Sequence, residues 1–164
     1  MLASCRQQEW QQLTRREKFG HFENAIDGYK LPKIRDKWRF GIFPKAIYEF
    51  TLDEDDPLTF VDTDGTRIQP DRHLAETDMG SVPWLAQLAI PKDRFLLSFL
   101  FHDSAYKHHG LYFAVAGSDL FVFVPLSRKE VDDLLRQMCG AEGAWYQTRA
   151  AVYSAVRVGG WASW

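Results

Sequence analysis

Apolar and polar positions alternate in the first half of the chain and then recur at helical spacing in the second. Trp38-Arg39-Phe40-Gly41-Ile42-Phe43 alternates with a period of two, and Ala46–Leu52 repeats the pattern after Pro44. Two strands are predicted there. Leu58-Thr59-Phe60-Val61 and Thr66-Arg67-Ile68 flank Asp64-Gly65, the strongest hairpin signal in the chain. Phe95–Leu100 is apolar without interruption and runs on into Phe101–Tyr106 with no Gly or Pro, which predicts a buried helix. Leu111–Val115 and Leu120–Val124 are apolar on both faces around Ala116-Gly117-Ser118-Asp119. They predict a hairpin that is either buried twice or exposes an apolar patch. Ser127 and Glu130 form a capping box, Val131, Leu134, Leu135 and Met138 a core stripe, and Gly140 a stop, so a helix is expected over 127–139. A last helix is expected over 144–158, before Gly159-Gly160 and a Trp161–Trp164 tail. Residues 1–20 are polar and Gln/Arg-rich, read as a short, loosely docked helix ending at Gly20.

The pattern gives one α+β domain over 1–164: a small antiparallel sheet in the N-terminal half, packed with about three C-terminal helices and an inserted β-hairpin. An apolar content of 46% is enough for a sizeable core. A net charge of −2 with scattered Lys and Arg does not point to nucleic acid as a partner. Cys5 and Cys139 lack CxxC spacing and read as free thiols of a reducing compartment. There is no signal-peptide pattern and no long apolar run, so the expectation is no membrane span and a place in the cytoplasm or in a particle assembled there. Asp53-Glu54-Asp55-Asp56 lacks the Gly and distal Glu of a calcium loop and reads as a solvated turn.

The chemistry gathers on the central helix. His102, Asp103 and Tyr106 are i, i+1 and i+4, so one side of the helix carries an imidazole, a carboxylate and a phenol. Burying them requires a metal, another carboxylate, backbone groups or water to satisfy them. On the following helix Asp132 falls at the edge of the apolar stripe and can face a neighbour, whereas Asp133 falls on the far side and is expected in solvent. Thr77-Asp78-Met79-Gly80-Ser81-Val82-Pro83 reads as a shaped loop in which Asp78 either caps its own turn or brings a second carboxylate to His102. His108 and His109 suit a helix C-terminus.

In order, the chain carries Thr77-Asp78-x-x-Ser81-x-Pro83, His102-Asp103-x-x-Tyr106, Ser127-Arg128-x-x-Val131-Asp132 and Ala155-Val156-Arg157-x-Gly159-Gly160. This order resembles family 1353 of domains of unknown function, found in tailed phages and prophages, over roughly residues 36–161. Ala105, Val131 and the 111–124 hairpin depart from its usual pattern. The resemblance implies a phage or prophage origin and no particular activity. More distantly, His-Asp-x-x-Tyr with an Asp on the next helix is similar to secreted and prokaryotic phospholipases. That similarity implies His102 as general base, Asp132 and Tyr106 as its supports, and Asp103 as ligand of a calcium ion. Asp78 is the other candidate ligand, and zinc the other candidate cation. The glycine-rich calcium loop and disulfides of those enzymes are absent; only Gly80 could stand in for the loop. Two main functional expectations follow. One is a hydrolase site, possible with metal assistance, on ester or cell-envelope substrates. The other is a virion or tail-associated structural protein whose His-Asp cluster only fixes helix packing. In the second, the 111–124 hairpin and the Trp-rich C-terminus bind other virion subunits or a second copy. A small regulator of host proteins is a third, less developed expectation.

Overall fold

The structure, a computed structural model, describes residues 14–23, 33–39, 43–49, 57–71, 76–77, 95–159 and Trp164. Its strands are β1 (His21–Glu23), β2 (Lys33–Arg39), β3 (Phe43–Glu49), β4 (Thr59–Val61), β5 (Arg67–Gln69), β6 (Glu76–Thr77), β7 (Gly110–Ala114) and β8 (Phe121–Pro125). Its helices are α1 (Leu96–His108), α2 (Arg128–Ala141) and α3 (Tyr146–Gly159), with a further helical stretch over 14–19. The fold is α+β. A five-stranded antiparallel sheet has the order β1-β4-β5-β7-β8, and a three-stranded one the order β2-β3-β6.

The Asp64-Gly65 turn forms as its sequence requires. Gly65 has φ of 86°, and Asp64 accepts from the Thr66 N–H at 2.8 Å. β2 and β3 both lie several residues earlier than the alternation placed them. Pro44 sits inside β3, opposite Trp38, rather than ending a strand. It is tolerated because it stands next to the first residue of β3, away from the β6 pairing at Tyr48 and Glu49. The 111–124 hairpin is not an appendage: β7 pairs with β5 and extends the sheet by two strands.

α1 is apolar nearly all round because it is packed on two sides. Leu100, Phe101 and Ala105 join Phe60, Ile68 and Leu111 in a core that includes Val131 and Met138. Phe95 and Phe99 join Leu135, Cys139, Val152 and Val156 in a second core. Burying each of these large side chains contributes about 1.5–3 kcal/mol.

α2 starts at the expected capping box but runs through Gly140 to Ala141. Gly140 is not the stop; Gly143, with φ of 90°, lies beyond the end. Gly140 instead lets Phe19 lie against the helix, since a Cβ there would come within 2.7 Å of that ring. The 14–19 stretch is therefore docked, and Gly20 closes it with φ of 75° and an N–H bond to the Arg16 carbonyl. Residues 1–13, the acidic turn over 53–56, residues 78–83 of the Asp78 loop and Trp161 lie outside the described residues. No helix among the described residues is long and apolar enough to cross a membrane.

Candidate active site

Asp132 is the centre of the cluster and is 0% exposed. It leaves α2 one turn after the capping box and points at α1 and α3. Its Oδ1 accepts from Tyr106 Oη at 2.7 Å and lies 3.1 Å from His102 Nε2. Its Oδ2 accepts from Arg157 Nη1 at 2.9 Å, with Arg128 Nε at 3.8 Å. Burial raises the Asp132 pKa, but the hydrogen bonds from His102, Tyr106 and Arg157 more than reverse this, and the carboxyl ends below its ordinary value. It is therefore a carboxylate at neutral pH and can only accept. The proton between it and His102 belongs to Nε2.

Arg128 adds a second layer. It donates through Nε to Tyr106 Oη at 3.2 Å and through Nη2 to the carbonyls of Val156 at 2.7 Å and Arg157 at 2.5 Å. Those carbonyls belong to the last turn of α3, where a helix has no acceptors' partners of its own. One guanidinium thus fixes the end of α3 and the phenol of α1 together. Tyr106 cannot easily ionise, since burial and then Asp132 push its pKa up to about 12.

The imidazole is asymmetric. Its ring lies 4.1 Å from that of Tyr106, and its residue is 6% exposed. Nε2 is held by Asp132. Nδ1 is buried with no hydrogen-bond partner among the described residues and has Asp103 Oδ1 at 4.0 Å, too far for a bond. Burial lowers the His102 pKa, but the negative charges of Asp103 and Asp132 outweigh it and leave it above 6.5. Trp164 packs edge-on against Tyr106 at 4.9 Å and against His109 at 5.0 Å, which places the end of the chain beside this cluster.

Of the residues singled out from sequence, the fold brings His102, Tyr106 and Asp132 into bonded contact and sets Asp103 beside Nδ1. Asp78 lies outside the described residues. As a cation site, the pair of His102 Nδ1 and Asp103 is incomplete. No group of three His, Cys, Asp or Glu side chains among the described residues could hold a metal ion, and a hard cation such as calcium takes six to eight oxygen ligands. Arg128 and Arg157 were present in the sequence motifs without a role. The i,i+4 spacing of Arg128 and Asp132 was the readable signal for the first; nothing local pointed to the second.

A second, half-buried carboxylate also escaped the sequence. Glu142, just past α2, accepts from the N–H groups of Ser98 at 3.0 Å and Leu97 at 3.4 Å, and from the Ser98 hydroxyl. α1 has no side-chain cap of its own at Phe95, so Glu142 caps it from another element. Burial pushes the Glu142 pKa up to about 7. Cys139, 0% exposed and free, lies beside this group, and burial lifts its thiol to about 12.

The chain matches no family model, no curated protein and no solved structure.

Proposed function

We propose that the cluster is a hydrolytic site in which His102 Nδ1 is the general base. The observation that supports this reading is the asymmetry of the imidazole. Asp132 holds the Nε2–H tautomer, so the lone pair of Nδ1 is free to accept, and that atom makes no hydrogen bond among the described residues, with the Asp103 carboxylate 4.0 Å away. A buried polar atom in that state calls for an occupant, and a water or a substrate hydroxyl would serve. In the step itself, Nδ1 takes a proton from water as its oxygen attacks an ester carbonyl. Asp132 stabilises the imidazolium, and Tyr106 and Arg157 hold Asp132 in place. The imidazolium then returns the proton to the departing alkoxide. Distant similarity to phospholipases favours carboxylic esters as the substrate class. The phage or prophage setting rests on the four ordered motifs alone.

The experiment is a screen of small esters, phospholipid vesicles and cell-wall fragments, each with and without calcium or zinc. Activity on one class should fall at least about a hundredfold in His102→Ala. It should rise with pH through a midpoint above 6.5, because only neutral His102 accepts a proton. No turnover on any class, or turnover indifferent to His102→Ala, would remove the reading.

A second reading has its own observation: Asp132 ties α1, α2 and α3 together through Tyr106, His102 and Arg157. That suits a structural, virion-associated protein whose polar cluster sets helix packing. Under it, His102→Asn leaves every binding property intact and changes stability alone.

A further inference from the structure

We infer that the outer edge of β8 pairs with β8 of a second copy of this chain, about a twofold axis at Val122. β8 ends the five-stranded sheet and has a neighbour on one side only among the described residues. The direction of its backbone groups follows from the hairpin ladder. Val115 N–H donates to the Leu120 carbonyl and Leu126 N–H to the His109 carbonyl. With the register Leu111↔Val124 and Phe113↔Val122, the even-numbered residues of β8 bond inward to β7. In an antiparallel ladder alternate residues turn the other way. Phe121 and Phe123 therefore turn their N–H and C=O groups outward, and Pro125, with no N–H, ends the free edge.

Among the described residues, this edge carries little of what usually protects one. Long sheet edges are blunted by charges, bulges or a covering element. From Leu120 to Leu126 there is no charged side chain and, within β8, no break in the register. Leu120 is 70% exposed, Val122 49% and Phe123 44%.

The second copy is the occupant for three reasons. Antiparallel pairing centred on Val122 sets Phe121 opposite Phe123 of the other copy, in both directions, so each outward N–H meets an outward C=O. The same register sets Val122 against Val122 and Leu120 against Val124, so no like charges face each other. It also carries the tip of each hairpin, where Asp119 is fully exposed and reached by Arg67 at 3.6 Å, toward the start of α2 of the other copy, where the exposed Lys129 stands. The ends are thus complementary in charge. Strand pairing of this length buries less than the roughly 1,600 Å² of a standard interface, so the dimer is weak and its population follows concentration.

The test is sedimentation of the full chain across micromolar to millimolar concentration, alone and as Val122→Lys and Val122→Glu variants. Circular dichroism verifies that each variant is folded. The wild type should shift from monomer to dimer as concentration rises. Each variant alone should stay monomeric, since like charges then meet across the axis. Mixing the two variants should restore a dimer, because the axis places residue 122 of one copy against residue 122 of the other. Phe123→Pro, which deletes an outward donor and leaves the inner ladder whole, should also be monomeric. A wild type that is monomeric throughout overturns the inference. So does association that survives in the separate variants, or a mixture that stays monomeric. Growth into open-ended polymers would also overturn it, pointing to β8 pairing with the β1 edge of the next copy.

Discussion

Two carboxylates reach α1, the buried Asp132 from α2 and the half-buried Glu142 from just past its end, and the two behave oppositely. Asp132 meets Tyr106, His102, Arg157 and Arg128, two of which are permanent cations, and its pKa is lowered. Glu142 meets two backbone N–H groups and a serine hydroxyl, all neutral, and its pKa is raised to about 7. Burial by itself penalises the charge in both cases. What differs is the partner set, so the fate of a buried acid here is decided by whether guanidinium or imidazole reaches it.

The linkage signs follow. Asp132 contributes stability above its unfolded pKa of 3.8 and loses it as pH falls through its lower folded value. Glu142 is reversed. Its folded state keeps a proton that the unfolded chain releases above 4.5, so its contribution is complete below that value and is lost as pH rises through about 7. His102, raised above 6.5, acts in the same direction as Glu142 but in a higher window.

The comparison breaks first at Asp132. Asp132→Ala leaves Arg157, Tyr106 and His102 facing an empty space, and should cost about 3–5 kcal/mol in urea unfolding at neutral pH, as loss of one partner in a buried ion pair does. A cost below about 1 kcal/mol would show that the donors re-pair with water and that the cations are not what sets Asp132 apart. The next effect belongs to Glu142. Wild-type stability should decline between about pH 5 and 8, by something on the order of 3 kcal/mol from this group. Glu142→Gln keeps an acceptor over Ser98 and should flatten that slope, leaving the smaller decline due to His102. An unchanged slope would assign the pH dependence elsewhere. The smallest effect is the control for helical phase. Asp133 is 44% exposed by side chain and pairs with Lys129 at 2.5 Å on the solvent side. Asp133→Ala should stay within about 0.5 kcal/mol of wild type, and a cost matching that of Asp132→Ala would undo the assignment of faces.

How much of this could be read beforehand depended on range along the chain. The capping box and the Val131–Met138 stripe fix the phase of α2 by contacts three and four residues apart, so Asp132 and Asp133 separate correctly from sequence. The same local logic placed His102 and Tyr106 on one side of α1. Its failures were places where a distant partner decides. Gly140 had every local mark of a helix stop, yet Phe19, more than a hundred residues earlier, fills the space above it. Pro44 looked like a break, and the pairing of Trp38 across from it keeps it in a strand. Nothing near Phe95 in the sequence signals that Glu142, more than forty residues later, caps α1. Arg157 reaches Asp132 only once α3 has packed on α2.

Cys139 gives the molecule a clock. Its sulfur lies in the core formed by Phe95, Phe99, Leu135, Val152 and Val156, and with a pKa of about 12 almost none of it is thiolate at neutral pH. A thiol reagent must therefore wait for α1, α2 and α3 to part. With Cys5 replaced by serine and reagent in enough excess to outpace reclosing, the labelling rate of Cys139 becomes the rate at which the three-helix side of the protein opens, read in native buffer without denaturant.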